Sequence, residues 1–287
     1  MTIPVRWQPR LIAIDIDGTL ALEATDISKT GPEGISQPVR DALGAAVAAG
    51  AQVVLCSGRT VFGVRPFLTS LHLSTGWAIC SNGAVMLDAS SGEVVRTINF
   101  DPAEPARVLR KLIPDAVFIA EQIGVGNRAT AGYDVVSFFG TTTVVDFDEL
   151  ISHQTPRMSV LWPGHDYSDM AAIVAGVEIP GVHYSLDHGD ACLMATPTGV
   201  TKGSTLETLR IELGIAAQDT MAIGDGFNDV EMLAWAAHGV AMGQAPEPVR
   251  AVADEVTAPV TEDGLAVALR RWFPSGLSGN HPPRSGV

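Results

Sequence analysis

Asp15 and Asp17 stand two positions apart, directly after an apolar run, in the stretch Ile14-Asp15-Ile16-Asp17-Gly18-Thr19-Leu20. Extended backbone sends alternate side chains the same way, so these carboxylates point in similar directions. One such group can attack phosphorus while the other donates a proton to the departing oxygen. Gly18 permits a tight turn and close phosphate approach, and Thr19 adds a hydroxyl donor. Taken alone, the same residues describe a solvated Asx turn equally well. A second acid-rich turn, Ile223-Gly224-Asp225-Gly226-Phe227-Asn228-Asp229, follows another apolar run far along the chain. A helix starting near Asn228 aims Asp229 back towards Asp225, where orphan amides tolerate negative charge. Asp225 is then a candidate direct Mg²⁺ ligand and Asp229 a direct or water-mediated one, since Mg²⁺ favours hard oxygen ligands and phosphate oxygens. Simple helix capping is the competing account of Asn228 and Asp229.

Three further positions fit phosphate chemistry. Ser57 is a candidate donor to a transferring oxygen, Gly58 lets nearby amides face the same oxygens, and Lys202 supplies positive charge. Each has an ordinary alternative, as a cap or an exposed lysine, and Arg59 divides between phosphate binding and a structural salt bridge. Their weight comes from falling at successive strand or helix ends.

Those ends follow from the hydrophobic pattern. Leu11 to Ile14, Val53 to Cys56 and Trp77 to Cys80 are short apolar runs suited to strands covered on both faces. Between them, Val39, Leu43 and Val47 mark an amphipathic helix that Gly50 ends, and a second helix is expected around Val61 to Leu71, kinked or delayed by Pro66. This alternation indicates a parallel α/β sheet. After Asn82 the rhythm changes. Strands are expected at Val94 to Phe100, Ala116 to Gln122, Tyr133 to Phe139, Met158 to Trp162 and Val182 to Leu186, with helices at Glu104 to Leu112 and Tyr167 to Val177. Such a middle suits a smaller, largely antiparallel α+β domain. Doubly wound character returns near Lys202, with Leu206, Leu209 and Leu213 on one helix face, a strand at Thr220 to Ile223, a helix bearing Val230, Leu233 and Ala234, and a strand at Val240 to Met242. The proposal is a discontinuous core: residues 1–84 and 196–271, interrupted by a middle domain at 85–195 and followed by a Gly-, Pro- and Ser-rich flexible tail at 272–287.

Composition narrows the function. The chain has 287 residues and 46% hydrophobic content, enough for a substantial core. A formal charge of -14 repels a phosphate backbone and argues against general nucleic-acid binding. Cys56, Cys80 and Cys192 are scattered in apolar surroundings and read as buried free thiols, with neither metal-ligand nor disulfide spacing. No signal core or membrane-length apolar stretch is found, so the expected residence is the cytoplasm.

Together these residues resemble the haloacid-dehalogenase-like (HAD) hydrolase superfamily, specifically the Cof-like phosphatases with a type-IIB cap. The opening DIDGTL is similar to the first family motif, Ser57-Gly58-Arg59 to the second, Thr201-Lys202-Gly203 to the third region and Gly224 to Asp229 to the fourth. Ser81-Asn82-Gly83-Ala84 resembles the segment preceding the cap, and Ala241-Met242-Gly243 with Glu262-Asp263-Gly264 its closing part. The resemblance implies a Rossmann-like HAD core with an inserted α+β cap. It implies Asp15 as nucleophile, Asp17 as general acid then base, and Ser57 and Lys202 organising the phosphoryl group. Gly18, Thr19, Gly58, Arg59, Asn82 and Asn228 are expected near substrate. Mg²⁺ is expected on Asp15, the backbone carbonyl of Asp17, Asp225 and Asp229. Glu121, Asn127, Arg128, Asp187 and His188 are candidate leaving-group contacts in the cap, and Ala24 to Ser36 an unusual surface loop. The implied activity is hydrolysis of a small phosphorylated metabolite, sugar phosphates foremost. A phosphomutase, or a non-catalytic module binding Mg²⁺ and a phosphate ligand, stays open as an alternative. Monomer and homo-oligomer are equally compatible with the sequence.

Overall fold

A computed structural model describes residues 7–22, 31–131, 140–187 and 190–274. The first part of the chain contributes β1 (Leu11–Ile14), α1 (Gln37–Ala48), β2 (Gln52–Cys56), α2 (Val61–Ser70), β3 (Trp77–Cys80), β4 (Val85–Asp88) and β5 (Val94–Thr97). A middle part follows with α3 (Ala103–Leu112), β6 (Val117–Gln122), β7 (Gly126–Ala129), β8 (Thr141–Val144), α4 (Phe147–Ile151), β9 (Met158–Leu161), α5 (Tyr167–Val174), β10 (Val182–Leu186) and β11 (Cys192–Pro197). The chain then returns through α6 (Lys202–Glu212), β12 (Thr220–Gly224), α7 (Val230–Trp235), β13 (His238–Ala241), α8 (Glu247–Arg250), β14 (Glu255–Val256) and α9 (Gly264–Arg270).

The core sheet runs β14-β13-β12-β1-β2-β3-β4-β5. Its strands are parallel from β14 to β3, while β4 and β5 are antiparallel additions at one edge. Alternation explains the apolar runs. Ile12, Ile14, Val53 and Leu55 pack with α1, α2 and α9, whereas Leu11, Ala13, Val54 and Cys56 pack with α6 and α7. Both faces are covered, so both parities must be apolar. The chain winds outward from β1 through β2 and β3, and on the other side from β12 through β13 and β14. The strand order therefore reverses between β1 and β12, where an open α/β sheet presents a crevice at its carboxyl edge. Ile14 is level with both Leu55 and Ile223. The turns that follow these three strands thus leave the sheet together.

The cap sheet runs β10-β11-β9-β6-β7-β8 and is antiparallel except between β7 and β8. Phe118, Ala120, Val160 and Leu193 face a layer containing Leu109, Leu150 and Met170 from the three cap helices. Val117, Ile119 and Ala129 cluster separately on the opposite face.

Several expectations are corrected here. The core sheet does not stop at residue 84, because β4 and β5 hairpin back onto β3; of the run Val94 to Phe100, Val94–Thr97 is a core strand while Phe100 packs in the cap. Pro66 does not delay α2, which begins at Val61. Residues 272 and 273, expected in the tail, are packed against the core. Trp272 meets Trp7 edge-on and Phe273 is buried in the core. The strand expected at Tyr133 to Phe139, His188 and most of the loop from Ala24 lie outside the described residues, as does the stretch 275–287. All three cysteines are free and buried, and burial pushes their thiols up. Among the described residues no helix is long and apolar enough to cross a membrane.

Candidate active site

The two acid-rich turns meet at the carboxyl edge of the core sheet. Asp15 follows β1 and is anchored by its amide to the Ile223 carbonyl of β12 at 3.0 Å. The connection between the turns is Lys202, at the start of α6. Its ammonium donates to Asp15 Oδ1 and to Asp229 Oδ1, both at 2.6 Å, and the side chain is entirely buried. Thr201 caps this helix, accepting from the Ser204 amide, which fixes the direction from which Lys202 enters. Burial alone would push Lys202 down, but the carboxylates of Asp15 and Asp229 outweigh it and hold it above the ordinary lysine range. Asp15 is raised well above the usual aspartate range by burial first and by Asp229 next, against the pull of Lys202.

Asp229 holds the distal turn together. Its Oδ2 accepts from the amides of Asp225 and Gly226, each at 3.0 Å. These amides belong to the turn itself, and the other oxygen of Asp229 receives Lys202. Asp225 is fixed through Thr19 Oγ1, which donates to its Oδ1 at 2.9 Å, and Gln244 Nε2, which donates to its Oδ2 at 3.1 Å. Gln244 also donates to the Gly18 carbonyl at 2.6 Å. The first turn must approach Asp225 closely. Gly18 has φ +74, and a Cβ there would lie 2.1 Å from Asp225 Oδ2. Thr19, expected beside substrate, is fully buried and donates to Asp225. Gln244 escaped sequence reasoning, since a glutamine in the loop after β13 carries no chemical signature.

Asp15, Asp225 and Asp229 offer carboxylate oxygens within 4.8 Å of one another, all buried. Three aspartates around a single lysine leave an excess of negative charge and a hard oxygen donor set, which fits a divalent cation such as Mg²⁺. A carboxylate offers about four acceptor sites. Asp229 already receives three protein donors, so Asp15 has more capacity for direct ligation than Asp229.

Asp17 is not in this side-chain cluster. Its carboxylate is gripped by Arg59, with Nε to Oδ2 at 2.7 Å and Nη2 to Oδ1 at 2.5 Å. Arg59 also lies over the Phe67 ring. The second motif therefore meets the first through a two-point ion pair, the salt bridge that was one of the two roles expected of Arg59. Ser57 is buried, and its Oγ accepts from the Arg59 amide at 3.2 Å. Asn82 joins the same group: its amide donates to the Ser57 carbonyl, and its Oδ1 accepts from Asn228 Nδ2 at 3.0 Å. Gly58 leaves room for this, as a Cβ there would meet Asn82 Oδ1 at 2.9 Å.

A profile of haloacid dehalogenase-like hydrolases matches residues 12–269. The chain belongs to this family. Within it the chain is of the Cof-like, IIB type, with a Rossmannoid core and an inserted cap. It is 25% identical to phosphatase YwpJ of Bacillus subtilis (strain 168), over 91% of this chain and 99% of that protein. It is 29% identical to the 5-amino-6-(5-phospho-D-ribitylamino)uracil phosphatase YcsE of the same organism, over 92% and 95%. Among solved structures, a HAD subclass IIB sugar phosphatase superposes with a TM-score of 0.75 at 26% identity, covering 92% of this chain and 98% of that one. The haloacid dehalogenase-like machinery, paired aspartates and a carboxylate cluster suited to a metal, is thus present in this chain.

Of the cap candidates, Glu121 and Asn127 are buried neighbours on β6 and β7, while Arg128 is half-buried on β7. Asp187 Oδ1 accepts from the Asp190 amide in a local turn. Glu121 accepts from Ser81 Oγ at 2.6 Å, a contact from cap to core. Burial raises its carboxyl against the opposing influence of Arg157 and that hydroxyl. Tyr167 of the cap stacks on Phe227 of the distal turn, with ring centroids 5.3 Å apart.

Proposed function

We propose that the protein is a Mg²⁺-dependent phosphate-monoester hydrolase acting through a phosphoaspartyl intermediate on a small phosphorylated metabolite, with sugar phosphates the leading class. The observation carrying this reading is the double contact of Lys202 with Asp15 and Asp229, which unites the candidate nucleophile with the candidate metal turn.

In this mechanism an Asp15 oxygen attacks phosphorus in line, and the bond to the leaving oxygen breaks. Asp17 gives its proton to that oxygen, then takes one from the water that attacks the phosphoaspartate, restoring Asp15 and releasing inorganic phosphate. Arg59 keeps the Asp17 carboxylate in place, and its two bonds leave other acceptor sites for the moving proton. Lys202 and Ser57 stabilise charge on the transferring phosphoryl group. Bound at Asp15, Asp225, Asp229 and the Asp17 carbonyl, Mg²⁺ would supply electrostatic stabilisation of phosphate oxygens. The cap shields the site from bulk water and meets the organic part of the substrate.

A phosphate-release screen over phosphate monoesters, with and without Mg²⁺, tests the reading, with Asp15→Asn as control. Expected are Mg²⁺-dependent release by the natural chain and none by Asp15→Asn, whose fold is retained. Normal turnover by that variant would refute the nucleophile assignment. Isomerised substrate in place of free phosphate would move the reading to a phosphomutase. Tight ligand binding without turnover across the panel would indicate a binding module.

A further inference from the structure

The cap sheet turns one face towards its helices and the other away, and Glu121 sits on the second. It follows Val117 and Ile119 in alternation along β6, but where those two join an apolar cluster, Glu121 ends in a carboxylate that is only 4% exposed. Arg157, immediately before β9, is 5% exposed. The two are tied together by backbone. The Glu121 amide donates to the Arg157 carbonyl at 3.0 Å, and Thr155 Oγ1 donates to the carbonyls of both, at 2.9 and 2.8 Å.

Their side chains, however, are turned to the core. Arg157 Nη1 donates to the Gly58 carbonyl at 2.7 Å, and Glu121 Oε2 accepts from Ser81 Oγ at 2.6 Å. Between the two, Arg157 Nε and Glu121 Oε2 are 3.5 Å apart, and that Nε has no hydrogen-bond partner among the described residues. A buried ion pair repays its desolvation only when its geometry is good. Here the short bonds run from cap to core and the long contact lies within the cap. The receiving turns are themselves joined. The Ser81 amide donates to the Arg59 carbonyl at 2.9 Å and the Asn82 amide to the Ser57 carbonyl at 3.1 Å. Ser81 and Asn82 are both left-handed, at φ 52, a costly conformation for two consecutive residues with side chains, which persists where surrounding contacts impose it.

We propose that Arg157 and Glu121 are positioning residues for phosphoryl transfer: from the cap they hold the Ser57-Gly58-Arg59 turn and the Ser81-Asn82 turn in the arrangement that presents Ser57 to the phosphoryl group. This rests on the proposed phosphatase chemistry. It ties the placement of a catalytic loop to the seating of the cap. The pair acts on groups that tighten in the transition state, so its loss falls on kcat more than on KM.

The test is steady-state hydrolysis of p-nitrophenyl phosphate with saturating Mg²⁺ by Arg157→Met, Glu121→Gln and Glu121→Leu, each assayed well below its melting temperature. Misplacing a catalytic group by an ångström costs on the order of 100-fold, so Arg157→Met and Glu121→Leu are expected to lose roughly 10- to 100-fold in kcat with KM within about threefold. Glu121→Gln keeps an acceptor for Ser81 and is expected to lose less. The Arg157→Met/Glu121→Leu double variant should lose little beyond the worse single one, because the two act as a unit. A kcat within about twofold of the natural chain in folded Arg157→Met or Glu121→Leu, or a rise confined to KM, overturns the proposal. If Arg157→Met does not fold, Glu121→Leu decides by the same criterion. A second readout is independent of turnover. Orthovanadate, which adopts the pentacoordinate geometry, should lose affinity in Glu121→Gln by several-fold more than orthophosphate does, and equal losses count against positioning. Absence of turnover by the natural chain across all phosphate esters would sink the function reading, and the vanadate-to-phosphate ratio would still decide the role of the pair.

Discussion

Replacing Lys202 with methionine removes the charge that joins the two acidic turns while keeping a side chain of similar length. In the natural chain the ammonium lies 2.6 Å from both Asp15 and Asp229, with no exposed surface. At an effective dielectric of about 20, each contact is a gross attraction of roughly 6 kcal/mol. The burial of all three groups consumes most of that sum. Removing one member of such a buried group leaves uncompensated charge and costs a net of about 3–5 kcal/mol. For a chain of this size class that is a fall in Tm of roughly 6–20 °C. The measurement is thermal unfolding of both proteins in EDTA across pH. Asp15 is a carboxyl raised in the folded state, so the folded form holds more protons than the unfolded one over the interval from the ordinary value of 3.8 up to the raised value, and stability falls as pH rises through that interval. Without Lys202 the interval extends further up. The deficit of Lys202→Met should therefore be large at pH 8 and shrink on acidification. Added Mg²⁺ should stabilise the variant more than the natural chain, because its cluster carries one more uncompensated negative charge. A variant in EDTA at pH 8 whose stability lies within about 1 kcal/mol of the natural chain would refute the argument that Lys202 balances this cluster.

Gly18→Ala should lower the affinity for Mg²⁺ at least about tenfold and reduce stability by more than the usual 1–2 kcal/mol for a left-handed alanine, since its Cβ would fall 2.1 Å from Asp225 Oδ2. Titrating Tm against Mg²⁺ reads both effects, and an unshifted titration contradicts the close approach. Gln244→Leu removes the 3.1 Å bond to Asp225 and the 2.6 Å bond to Gly18, and should weaken Mg²⁺ binding about tenfold while leaving the nucleophile in place. Isothermal titration with Mg²⁺ tests this, an unchanged Kd being the contrary outcome. Glu207, held by Arg210 and then Trp235, is lowered to about 2 from an ordinary 4.5. Its stabilising contribution is complete above pH 4.5 and is lost as pH falls towards 2, so the Tm difference between the natural chain and Glu207→Gln should vanish over that window. A difference that persists at pH 2 would show that the pair contributes through packing instead.

The core was legible because both its folding and its chemistry leave local signatures. A strand covered on both faces must be an apolar run, and Leu11–Ile14 and Trp77–Cys80 emerge with the bounds their composition indicates. Carboxylates beside glycine, placed where such runs end, marked the turns that meet at the strand-order reversal. What the sequence withheld was the partner of each polar group. Thr19 was assigned to substrate because a hydroxyl beside a phosphate loop is a plausible donor, yet the tight turn at Gly18 points it at Asp225. The ambiguity of Arg59 depended on whether Asp17 lay within reach, and that is set by the pairing of β1 with β2.

The cap was harder for a related physical reason. Its sheet has one face against helices and one against the core, and the second mixes polar with apolar residues. β7, with the sequence Gly-Asn-Arg-Ala, shows neither alternation nor a hydrophobic run, although Asn127 and Ala129 are buried. β11 carries no expectation from the sequence, although it is largely apolar. Arg157 shows the limit most plainly. An arginine after a proline at the start of a strand has no local distinction, and its meaning comes from Gly58, a residue that neither periodicity nor spacing connects to it. Contacts of this kind lie between the two domains, so neither domain's own hydrophobic pattern needs to encode them. Substrate selection is expected to draw on the same surface. Varying Glu121, Asn127 and Arg157 should therefore alter turnover and leaving-group preference together, whereas changes on the helix-covered face should act through stability alone.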